Sequence, residues 1–163
     1  MPRAAAGLRP PSPEGVKGAA GPVTPESYVL EDQIGHLLRR AHQRATAIFT
    51  AELGDAFQIT PTQYAALVKL HDLGEQSQNQ LGRLTAMDRA TIQGVIRRLE
   101  QRKLIERSGD PGDRRRSSLR LTPAGEALVT AMIPSGIRVS AVTLDPFSAA
   151  ERQAFLALLR KFA

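Results

Sequence analysis

Residues 88–122, DRATIQGVIRRLEQRKLIERSGDPGDRRRSSLRLT, decide how the rest of the chain is read. Asp88 has the chemistry of a helix N-cap, a carboxylate that accepts from the free N–H groups of a first turn. Behind it Ile92, Val95, Ile96 and Leu99 recur at helical spacing and predict one buried stripe. LIERS and SSLRLT then alternate apolar and polar residues around a turn rich in Gly, Pro and Asp, which predicts a two-stranded hairpin. The tip of that hairpin carries Arg114, Arg115 and Arg116. Adjacent like charges repel one another, so such a tip makes physical sense opposite a polyanion.

Upstream, Thr60-Pro61-Thr62-Gln63 is a helix start with a capping-box glutamine, and the helix it opens runs through Tyr64, Leu67, Val68 and Leu70 towards Gly74. Ser77-Gln78-Asn79-Gln80 caps a short helix through Leu81 and Leu84. The order helix, helix, helix, strand, turn, strand between residues 61 and 121 is a winged helix-turn-helix. The predicted class is mainly α with a small β-hairpin. In such a lobe the third of these helices enters a DNA major groove, and the hairpin lies along the backbone or in the minor groove.

Charge and helix geometry agree with this. Residues 75–120 hold eleven Arg or Lys against six Asp or Glu, so nearly all of the chain's net charge of +6 sits in the segment that phosphate binding requires. Opposite the apolar stripe, the helix beginning at Asp88 presents Ala90 and Gly94, flanked by Arg89, Thr91, Gln93, Arg97 and Arg98. An interior helical glycine costs about 1 kcal/mol relative to alanine, and at the centre of an outward face it predicts close approach by a partner. Thr91 and Gln93 are the candidate readers of base edges, and Arg97 and Arg98 the candidates for phosphate or guanine. The arginine tip fits a narrow minor groove, where the potential is most negative, with Asp113 bracing a neighbouring arginine.

The remainder of the chain flanks this lobe. Residues 1–23 are rich in Pro, Gly and Ala and are expected to form a disordered tail. Thr24-Pro25-Glu26 predicts the start of a long helix, whose apolar side carries Leu30, Ile34, Leu37, Leu38, Ala41, Ala45 and Ile48. Thr122-Pro123 opens another helix, which Pro134 and Gly136 are expected to bend or break. Ser148 and Glu151 form a capping box for a last helix bearing Phe155, Leu158, Leu159 and Phe162.

Composition narrows the function classes. Aromatics are 4% of residues and Trp is absent, so the core must be aliphatic. The absence of Cys rules out disulfides, thiol redox sensing and thiolate metal sites. Three histidines without tight spacing predict no metal centre. No apolar run approaches the ~20 residues of a membrane span, and the start lacks a secretory leader, so a cytoplasmic location is expected. The Gly-rich phosphate loops, nucleophile elbows, HExxH pairs and clefted carboxylate pairs of enzymes are missing, so no catalytic residues are assigned and the chain is not expected to be an enzyme.

The run LGRLTAMDRATIQGVIRRLEQRKLIERSGDPGDRRRSSLRLTPAG, residues 81–125, resembles the core of the MarR family of bacterial transcriptional regulators. The resemblance extends in layout over residues 28–163 and is most specific over 77–125. Its D-x-R wing motif falls on Asp113 and Arg115, making Arg115 the residue implied to reach the minor groove. The resemblance further implies a homodimer held by helices in 24–56 and 123–163, with a DNA-binding lobe at 57–122. It would bind double-stranded DNA at a pseudo-palindromic operator, most often as a repressor.

Family members often release DNA when a small aromatic acid binds between dimer helices and winged lobe. An anionic aromatic effector needs a cation and a hydrogen-bonding group. The candidates are His36, Arg40, His42 and Arg44 in IGHLLRRAHQRA, together with Tyr64. By helical wheel, His42 and Arg44 border the apolar stripe whereas His36 points to solvent unless a dimer covers it. The same stretch resembles regulators of nicotinate degradation, which implies 6-hydroxynicotinate as effector, with no other cofactor. The rival reading is a winged-helix protein that acts through protein–protein contacts without ligand sensing.

Overall fold

The computed structural model describes residues 28–109 and 118–162. The chain divides between Leu37 and Leu38 into two compact units. In the first, a 3₁₀ turn at Leu30–Asp32 precedes helix α1, Ile34–Phe49. The long helix expected from Thr24 is therefore not continuous. Gln33 is extended (φ −75°, ψ 128°), its N–H donates to the Leu30 carbonyl at 3.0 Å and its side-chain amide to the Val29 carbonyl at 3.1 Å. Those local bonds hold a tight turn ahead of the helix. The expected start at Thr24 and the tail at 1–23 lie outside the described residues.

In the second unit α1 passes into a π-helical turn at Thr50–Gly54 and a short α2, Asp55–Phe57. Phe49 and Leu53 from this run are buried. Next come α3 (Pro61–Leu73), β1 (Gln76–Ser77), α4 (Gln78–Leu84) and α5 (Arg89–Gln101). They are followed by β2 (Ile105–Ser108), β3 (Ser118–Leu121), α6 (Pro123–Thr143) and α7 (Ala149–Phe162). Each cap predicted among the described residues is made. The Thr60 hydroxyl accepts from the Gln63 N–H while the Gln63 side chain accepts from the Thr60 N–H. Ser77, Asp88 and Thr122 cap α4, α5 and α6, and Ser148 and Glu151 bond reciprocally at the start of α7.

The core is aliphatic, as the composition requires. Leu67 and Leu70 of α3, Leu81 of α4, and Ile92, Val95, Ile96 and Leu99 of α5 meet Leu104 just ahead of β2, Ile105 and Leu119 of the sheet, and Val129 and Met132 of α6. Each fully buried side chain of this size contributes about 1.5–3 kcal/mol, which fixes α5 with its other face outward. The sheet has three antiparallel strands in the order β1-β3-β2. β1 pairs Gln76 with Leu119 and Ser77 with Ser118, an edge too short to leave a period in the sequence.

Of the expected bend or break at Pro134, helix α6 shows no break; it runs continuously from Pro123 to Thr143. A helical proline costs about 3 kcal/mol, but Val129, Met132 and Ser135 are buried on either side of it and hold the helix against the core. Beyond Pro134, Arg138 bonds Ser135 at 2.7 Å and pairs with Glu52 at 3.4 Å.

Helices α4 and α5 end alike. Met87 N–H donates to Gly82 O at 2.9 Å and Ala86 N–H to Arg83 O at 3.3 Å; Leu104 donates to Leu99 O at 3.0 Å and Lys103 to Glu100 O at 2.9 Å. This is the Schellman pattern, with Ala86 (φ 51°) and Lys103 (φ 55°) in the left-handed conformation that glycine ordinarily fills.

Candidate nucleic-acid interface

Asp88 sets the start of α5. One carboxylate oxygen accepts from the Thr91 N–H at 2.8 Å and the other from the Thr91 hydroxyl at 3.0 Å. These bonds, the backbone one first, hold the Asp88 carboxyl below its ordinary range. Thr91, expected to read bases, thus has its hydroxyl engaged within the cap.

Beyond the cap, Arg89, Ala90, Thr91, Gln93, Arg97 and Arg98 are exposed and Gly94 is half-buried, while Ile92, Val95, Ile96 and Leu99 are buried. A Cβ built on Gly94 would meet nothing within 4 Å, so the glycine opens onto free space. The outward side is concave. Ala90, Gln93, Gly94, Arg97, Glu100 and Arg107 line a groove of about 380 Å³ between α5 and β2.

Glu100 and Arg107 were not among the sequence candidates, although both carried a signal. Glu100 follows Ala90, Gln93 and Arg97 at helical intervals on one stripe. Arg107 follows Ile105 by two, so the strand pleat puts both on one face, and Arg107 stands opposite buried Leu119. That is the inward face of the sheet. Past the end of the apolar core Arg107 leans on the helix instead, its Nε 2.9 Å from Glu100 Oε1. On the other face Arg120 pairs with Glu106 at 2.8 Å, and the Ser118 hydroxyl donates to Glu75 at 2.7 Å. At the far end of α5, Arg102 donates to the Gln58 and Phe57 carbonyls at 2.6 and 3.1 Å. Asp113, Arg114, Arg115 and Arg116 lie outside the described residues.

The candidate effector residues are dispersed in character. His36 belongs to the first unit and is half-buried, where the helical wheel had it facing solvent; Arg40, His42 and Arg44 are exposed. Tyr64 is half-buried and lies edge-on to Phe49, with ring centroids 5.6 Å apart. Burial, and secondarily the charge of Asp72, raises the Tyr64 phenol above its ordinary range, so it is a protonated donor at neutral pH. Among the described residues no group of three His, Cys, Asp or Glu is placed to hold a metal ion, and no helix is long and apolar enough to cross a membrane.

A short helix, a turn, an outward-facing helix and a hairpin beside it are the parts of a winged helix-turn-helix. Residues 59–117 match the MarR family model. The chain is 44% identical over 143 residues to the transcriptional repressor NicR of Pseudomonas putida, covering 88% of this chain and 90% of that protein. The chain belongs to the MarR family.

Solved MarR-type structures extend the likeness. BpsR of Bordetella bronchiseptica, whose DNA binding is regulated by 6-hydroxynicotinic acid, superposes with a TM-score of 0.76 at 44% identity, covering 80% of this chain and 98% of that one. PcaV of Streptomyces coelicolor, solved with its natural ligand, gives a TM-score of 0.76 at 32% identity, covering 83% and 94%. As a MarR-family member the chain is a DNA-binding transcriptional regulator and not an enzyme.

Proposed function

We propose that this MarR-family regulator is a cytoplasmic homodimeric repressor that binds a pseudo-palindromic operator and is released by a small aromatic acid, with 6-hydroxynicotinate the best candidate. The observation that carries the DNA half is the outward face of α5, where Gly94 opens onto a groove flanked by Gln93, Arg97 and Arg107. The effector half is supported by the similarity to NicR and to BpsR, the latter regulated by 6-hydroxynicotinic acid.

Dimerisation is supported by apolar side chains left in water on α6 and α7. Ile137 is 67% exposed, Leu158 67% and Phe162 68%, large apolar groups of the kind that an interface covers. For the effector, Tyr64 is the favoured donor, because its phenol is protonated and half-buried, with Arg40, His42 and Arg44 offering the cation and His36 a further candidate.

Sedimentation and fluorescence anisotropy test both halves. The expected result is a dimer that binds an operator duplex with a steep salt dependence and dissociates on adding 6-hydroxynicotinate. Binding that ignores ionic strength would favour the protein–protein reading. A melting temperature and affinity unmoved by 6-hydroxynicotinate and related aromatic acids would remove the effector.

A further inference from the structure

We propose that Glu100 is a positioning residue for DNA recognition: it holds Arg107 in the groove between α5 and β2, and so sets the angle at which the wing meets the helix. This rests on the DNA-binding role and is independent of any effector.

Three observations converge. Glu100 is a carboxylate on the otherwise neutral or cationic stripe Ala90, Gln93, Gly94 and Arg97, and next to a polyanion an unpaired carboxylate is repulsive. It is paired: Arg107 Nε lies 2.9 Å from Glu100 Oε1. And Arg107 occupies an inward strand position, opposite Leu119, at which its neighbour Ile105 is apolar and buried. An arginine there satisfies no core requirement. Its side chain remains 46% exposed, and it links β2 to the outward stripe of α5.

The chemistry then separates position from charge. A guanidinium carries five N–H groups in a rigid fork, so one engaged by a carboxylate through Nε still meets a phosphate oxygen with others. The carboxylate takes away one unit of attraction to DNA but fixes where the guanidinium points. Electrostatics alone says that deleting Glu100 strengthens binding to every sequence. Positioning says that it weakens binding to the preferred sequence.

The test is a double-mutant cycle on the full chain with Glu100→Ala, Arg107→Ala and the double variant. The probes are a duplex enriched from a random library by the wild-type protein and a scrambled duplex of the same composition, each over a salt series. Arg107→Ala is expected to weaken the enriched duplex about tenfold and to lower the salt slope by about 0.9. Glu100→Ala is expected to weaken the enriched duplex about threefold to tenfold while leaving the scrambled one unchanged or tighter, and the double variant to be no weaker than Arg107→Ala. Glu106→Gln removes a negative charge from the other face of the sheet and is expected to leave the ratio of the two affinities unchanged. Tightening of both duplexes by Glu100→Ala, or additive effects of the two substitutions, overturns the proposal. A library that yields no enriched duplex overturns instead the DNA-binding reading beneath it.

Discussion

The hydroxyl of Tyr64 occupies the space that a side chain on Gly136 would need: a Cβ built there collides with the phenol oxygen and comes within 3.0 Å of Cζ. Any side chain at position 136 therefore requires the Tyr64 ring or helix α6 to shift. Gly136→Ala is expected to destabilise the fold by about 1–3 kcal/mol through overpacking, partly offset by about 1 kcal/mol of helix propensity. Adding Tyr64→Phe, which removes the colliding oxygen, is expected to recover part of the loss. Urea denaturation of the two single variants and the double checks this; additive losses would mean that the contact does not limit the site.

Gly94 is the opposite case. Nothing within 4 Å awaits a Cβ there, so Gly94→Ala is expected to stabilise α5 by up to about 1 kcal/mol. The same methyl enters the groove beside Gln93 and Arg97. A variant that melts higher but binds DNA less tightly is the expected outcome, and unchanged affinity would move the DNA away from this stripe.

Lys103 closes α5 in the left-handed region with φ 55°. Lys103→Gly is expected to raise stability by about 0.5–1 kcal/mol, the residual after the left-handed strain is set against the greater freedom of glycine in the unfolded chain. Thermal melts decide it. A fall would mean that the lysine side chain does more for the native state than its backbone strain takes away.

Asp88 makes the acid side of the stability profile informative. Its folded pKa is lowered by the Thr91 bonds, so its contribution is complete above the unfolded value near 3.9 and fades as pH falls through the lower folded one. Glu75, through Ser118 and Ser108, and Glu151, through Ser148, are lowered as well and act in the same direction. Asp88→Asn keeps a good N-cap but cannot titrate. It is expected to match wild type in shape above pH 5 and to lose stability less steeply below pH 4, as followed by urea midpoints against pH.

Much of the lobe was legible because its signals are local. Thr60 with Gln63, Ser77, Asp88, Thr122, and Ser148 with Glu151 each announce a helix from three or four consecutive residues, and each cap is made. The outward stripe of α5 follows from spacing alone, because the buried stripe fixes its complement. Strand β1 was not legible: two residues carry no period, and its pairing with β3 is settled some forty residues away.

The sequence by itself determined where helices begin, which face of α5 is buried, and where positive charge gathers, since capping, periodicity and charge act between neighbours along the chain. Only the tertiary structure decided that α6 passes through Pro134 intact, that Tyr64 meets Gly136, and that Arg107 is held by Glu100. Those outcomes depend on packing and pairing between residues distant in sequence. At Pro134 the burial of Val129, Met132 and Ser135 outweighs a local penalty that the sequence shows plainly, whereas at Arg107 an inward strand position beyond the core turns a charge towards the helix.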